Sequence, residues 1–158
     1  MRLRLPIALI IAAGIAAVLL WPRGSSRVEA PPKLGMGKIT AFRLNPDVQE
    51  SMKNLGHNDT EFFHSWPVLK SSELSEDQAA RLRAIVQDPD TYGVSDKKCF
   101  EPGAAFRIED ENSPTELLLS LECKQARVIV RHSAVSKGLS EEGAEEFKRF
   151  FDAVFAGK

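Results

Sequence analysis

Apolar and polar positions follow three rhythms along this chain. From Leu5 to Trp21 there is no rhythm: seventeen consecutive residues carry no charge and one proline. At roughly 1.5 Å per residue they make about 26 Å of helix, near the lower limit for crossing a hydrocarbon core. Pro6 falls in the first turn, where its missing N–H removes no helical bond, and Trp21 sits where an interfacial aromatic anchors a helix end. A signal peptide has a shorter apolar region and a small-x-small cleavage site soon after it. The nearest such site, Val28-Glu29-Ala30, lies well beyond Trp21 and precedes Pro31. Residues 1–22 are therefore predicted to be an uncleaved signal anchor, with secretion after cleavage as the alternative.

Beyond a Pro-, Gly- and Ser-rich linker at 23–37, an extracytoplasmic domain is predicted over 38–158. Lys38 to Leu44 alternates with period two and reads as a strand that ends at Asn45-Pro46. Val48, Met52 and Leu55 have the spacing of a short helical face. Phe62, Phe63, Trp66, Val68 and Leu69 are packing material on a short extended segment. The period then becomes helical. Ser75 with Gln78 is a capping-box spacing, Ala79, Leu82, Ile85 and Val86 share one face, and Asp88-Pro89 is a stop, predicting a helix over 76–87.

Three strands follow, with alternating Phe106 and Ile108, then Leu117, Leu119 and Leu121, then Val128 and Val130. Parity sets the pairing, because residues opposite one another point to the same face. Phe106 opposite Leu117 brings Thr115 to Ile108. Cys123 opposite Ala126 brings Leu121 to Val128, Leu119 to Val130, and Glu122 to Arg127 as an opposite-charge pair. The expected unit is a three-stranded antiparallel meander. A last helix begins after the N-cap Ser140, with Ala144, Phe147, Phe150, Phe151, Val154 and Phe155 on one stripe and Gly157 at its end. Glu145 and Glu146 border that stripe, so it suits a core better than a lipid surface. The fold class is α+β: an antiparallel sheet and two packed amphipathic helices, preceded by a transmembrane helix.

Composition alters this picture mainly through charge. The chain has 158 residues and a formal charge of −1. That sum joins a basic N-terminus, with Arg2, Arg4, Arg23 and Arg27 against Glu29, to an acidic domain. Arg2 and Arg4 favour a cytoplasmic N-terminus, although Arg23 and Arg27 weaken the contrast. The expected location is single-pass in the cytoplasmic membrane, held by residues 5–21, with the domain in the periplasm or outside the cell. An acidic domain without a basic stripe is a poor partner for nucleic acid.

The chemistry legible in the residues is sparse. There is no P-loop, dinucleotide fingerprint or nucleophile elbow. His57, Asp59, His64 and His132 lack ligand spacing, so neither a metal nor a cofactor is implied. Two cysteines in an exported domain lean toward a disulfide between Cys99 and Cys123, the alternative being two buried thiols. Regular strands would place Cys99 opposite Lys124, so the bridge needs a one-residue bulge, for which Pro102-Gly103 is the natural place. Thiol catalysis needs C-x-x-C, whereas Ser120 stands where the first thiol of that motif would be.

Cys99, Phe100, Pro102, Ala105 and Arg107, followed by a hydrophobic strand ending at Cys123, resemble a family of small uncharacterised bacterial proteins that are often exported or lipid-anchored. The likeness covers roughly residues 66–155 and is carried by a C-F-x-P-x-x-A-x-R stretch and a strand ending in C-x-x-C, from which Ser120 departs. It implies an architecture without an assigned activity, and makes a Cys99–Cys123 bridge the simplest use of the remaining cysteines. The expected function is a non-catalytic binding or accessory module with an unidentified protein partner. The rival is a small periplasmic enzyme or ligand- or metal-binding protein built on the Cys99–Arg107 region, with Arg107, Tyr92 and His64 as ligand-binding candidates.

Overall fold

The computed structural model describes residues 31–47, 60–94, 97–111 and 113–156. The anchor predicted over 1–22, the helical face of Val48, Met52 and Leu55, and the helix end at Gly157 lie outside these residues. No helix among the described residues is long and apolar enough to cross a membrane.

Seven strands form one antiparallel sheet in the order β2-β3-β1-β4-β5-β6-β7. They are β1 (Ile39–Leu44), β2 (Phe62–Phe63), β3 (Trp66–Glu73), β4 (Ala104–Ile108), β5 (Thr115–Ser120), β6 (Gln125–Val130) and β7 (Ser133–Gly138). Between β3 and β4 come helix α1 (Glu76–Gln87) and a 3-10 turn at Pro89–Thr91; α2 (Glu141–Phe155) closes the order. The strands β4, β5 and β6 are the predicted meander. The sheet extends it on both sides, since β1 pairs with both β3 and β4.

Both helices start as their residues dictate. The Ser75 hydroxyl accepts from the Gln78 amide while the Gln78 side chain accepts from the Ser75 amide, a complete capping box. At α2 the Ser140 hydroxyl accepts from the Gly143 amide at 2.9 Å. Gly143 is required there, because a Cβ would lie 2.2 Å from the Thr91 carbonyl oxygen. That contact locks the start of α2 onto the 3-10 turn.

Alternation sorts the strands into two faces. Ile39, Ala41, Ala104, Phe106, Ile108, Leu117, Leu119, Ala126 and Val128 point to the helices. There they meet Leu82, Ile85 and Val86 of α1 and Phe147, Phe150, Phe151 and Phe155 of α2. Phe42, Leu44, Ala105 and Leu118 point the other way and pack with Phe63, Trp66, Val68, Phe100 and Ile129.

The β4–β5 register is the predicted one, with Phe106 opposite Leu117 and Ile108 opposite Thr115. The β5–β6 register differs. Leu119 faces Ala126, Leu117 faces Val128 and Thr115 faces Val130, while Arg127 faces Leu118 and not Glu122. The connection occupies Leu121 to Lys124, closed by the Lys124 amide donating to the Leu121 carbonyl and by Lys124 at φ 49°. The longer turn slides the pairing by an even number of residues. Every inward side chain therefore stays inward, although the partners change.

Candidate functional site

Among the described residues, three places gather chemistry-bearing side chains. The first is on the sheet face away from the helices. Arg107 and Glu116 are opposite one another across β4 and β5, so their side chains emerge side by side. Arg107 Nε donates to Glu116 Oε1 at 3.0 Å. His64 Nε2 donates to Glu116 Oε2 at 2.6 Å from the two-residue turn between β2 and β3. His64 sits at φ 55°, a left-handed conformation that costs a non-glycine residue about 1–2 kcal/mol, and the bond to Glu116 helps to offset it. The Arg107 guanidinium also lies 5.6 Å from the Phe42 ring centroid and 5.0 Å from that of Phe63. The structure thus brings together two of the three ligand-binding candidates, His64 and Arg107. Glu116, only 12% exposed, joins them as their common acceptor.

Tyr92 is elsewhere. Its hydroxyl donates to the Val86 carbonyl at 2.8 Å and its backbone bridges to Leu139. Burial pushes its phenol well above the ordinary tyrosine range. Tyr92 ties the end of α1 to the start of α2, which is a packing role.

The second place is the disulfide. Cys99 and Cys123 are bonded, with Cα atoms 5.7 Å apart. The strands end before reaching them, β4 beginning at Ala104 and β5 ending at Ser120. Parity therefore does not bind the two cysteines. No bulge at Pro102-Gly103 is needed, because both cysteines lie outside the paired stretch of β4 and β5. Ser120 is fully buried beside the bridge. Its hydroxyl accepts from the Glu101 amide and donates to the Glu101 carbonyl, both at 3.0 Å. Ser120 is thus a strap holding the Cys99 segment against β5.

The third place is a groove of about 450 Å³ that no motif announced. One wall is a single stripe of α2 bearing Glu141, Ala144, Glu145, Lys148 and Asp152. The other wall combines Pro46 after β1, the β4 entry at Glu101, Gly103 and Ala104, and the turn residues Leu121, Glu122 and Lys124; Phe151 also lines it. Lys124 pairs with Glu141, and Lys148 donates to Asp152 at 2.8 Å. The sequence signal for this groove was weak but present, in Glu141, Glu145, Lys148 and Asp152 recurring at helical spacing.

Among the described residues, no group of three or more His, Cys, Asp and Glu side chains is arranged to hold a metal ion. His57 and Asp59 lie outside those residues, and His132 is exposed in the β6–β7 turn. No family model, no curated protein and no solved structure matches the chain.

Proposed function

We propose that this protein is a membrane-anchored, extracytoplasmic binding or accessory module that acts without catalysis. Residues 5–21 are the single span, the N-terminus is cytoplasmic, and the domain of residues 38–158 works in the periplasm or at the cell surface. The observation that carries this reading is the character of the groove. It is bounded by a helix, a strand entry and a turn, and its lining combines carboxylates and ammonium groups with apolar side chains. Such a lining suits recognition, since binding sites join apolar area to a few placed polar groups. The imidazole, phenol and thiols singled out by sequence are engaged in structural contacts outside it.

The test is capture from intact membranes through the native anchor. Full-length protein is expressed at low level, cross-linked in whole cells and recovered by a C-terminal tag. A discrete partner should be recovered with the anchored chain, and the domain should be removed by protease added outside the cytoplasmic membrane. Protection of the domain from that protease, or loss of partner capture only when His64 and Arg107 are replaced, overturns the reading.

A further inference from the structure

The charges around the groove are unbalanced. Five carboxylates line it, from Glu101, Glu122, Glu141, Glu145 and Asp152, against the two ammonium groups of Lys124 and Lys148. The pairs Lys124–Glu141 and Lys148–Asp152 hold both of those cations. Arg43 adds a guanidinium 3.9 Å from the Asp152 carboxylate. Lys97 approaches from behind, donating to the backbone carbonyl of Glu122. Glu101 and Glu145 stand on opposite walls, both exposed, with the apolar atoms of Leu121, Ala144 and Phe151 contributing to the lining between them.

We infer that this groove docks a basic amphipathic peptide segment of a partner protein, placing an apolar side chain on the floor and Lys or Arg groups on the two acidic walls. The inference rests on the binding-module reading and names its partner class. Charge complementarity selects this occupant. An anionic lipid surface would be repelled by the same carboxylates. The chain's own residues 48–59 carry Glu50 and Asp59 against Lys53, so they bring no excess of positive charge. Position supports an outside partner as well. The linker reaches the domain at the far end of β4, where Gly37 packs against Glu109, whereas the groove opens at the β4 start beside Ala104.

The experiment measures fluorescence anisotropy of a short labelled peptide of lysine and leucine, with the full-length chain in neutral detergent micelles. The same peptide with glutamate in place of lysine is the control. The lysine peptide should bind, and the Glu101→Lys, Glu145→Lys double variant should weaken it about tenfold or more, a change of about 1.4 kcal/mol. Glu111→Lys, an equal change per site at the opposite end of the sheet, should leave binding unaltered. Three results overturn the inference: equal binding of the glutamate peptide, no effect of the double variant, or tighter binding after Arg23→Ser with Arg27→Ser. The last would make the chain's own linker the occupant. If the lysine peptide fails while membrane capture of a partner still depends on Glu101 and Glu145, the partner class is wrong and the binding-module reading stands.

Discussion

The two faces of the sheet are closed by different chemistry. On the helix side, hydrocarbon does nearly all of the work. Phe106 of β4 meets Phe150 and Phe151 with ring centroids 6.1 and 6.0 Å apart, and Phe147 is fully buried behind them. On the opposite side, no helix among the described residues covers the sheet. A short hairpin and the stretch around Phe100 lean onto Phe42, Ala105 and Leu118, and two arginines finish the surface. Arg107 lies over Phe42 and Phe63, and Arg127 lies 3.9 Å from the Phe100 ring centroid. The first face meets charge at its rim, where Arg43 lies 5.6 and 5.1 Å from the Phe151 and Phe155 ring centroids and Arg81 lies 5.9 Å from that of Phe150. The second carries an Arg107–Glu116–His64 cluster over its smaller apolar patch, so it is the face that depends more on charge.

Three substitutions sharpen that contrast. Phe147→Ala on the helix side should cost about 3–5 kcal/mol, read as a lowered denaturation midpoint that added salt does not restore. A loss under about 1 kcal/mol would mean that the helices are not the principal cover. Glu116→Gln on the other side should cost about 1–3 kcal/mol, because it weakens the shared acceptor of Arg107 and His64 at a mostly buried position. Its signature is faster amide exchange in the β2–β3 hairpin with the helices unchanged, and uniform loosening would break the comparison. Arg127→Gln should have the smallest effect, about 0.5–1 kcal/mol from the lost stacking on Phe100, and the difference from wild type should shrink in high salt.

The helix-covered face was also the legible one. Alternation in β4 and β5, the capping box at Ser75 and the phenylalanine stripe of α2 all report burial on one side, so the elements and their inward residues could be read together. The opposite face obeys a weaker signal. The β5–β6 register was misread because parity fixes the face and leaves the partner open; the length of the Leu121–Lys124 turn decides the partner. The strand β7 was missed because Ser133 to Ser136 is exposed throughout, leaving no buried alternation to detect. Glu116 was within reach, since the correct β4–β5 register already sets it opposite Arg107. Its second partner His64 was not, because β2 comes beside β3 through a turn with a left-handed histidine and no glycine. The groove unites four separated stretches of chain, which no local period records.

One contact at the domain entrance has a mechanical meaning. Arg83 of α1 donates to the carbonyls of Gly35 and Gly37, each at 2.9 Å, and Leu34 is buried between the linker and the core. A pull on the chain from the N-terminal side of Leu34 is therefore not delivered to a loose end. It meets this two-pronged clasp first, and behind the clasp stands β1, laced to neighbours on both edges. Residues 34–37 thus lead into the interior of the sheet, where strain is shared between two ladders before any strand can peel away.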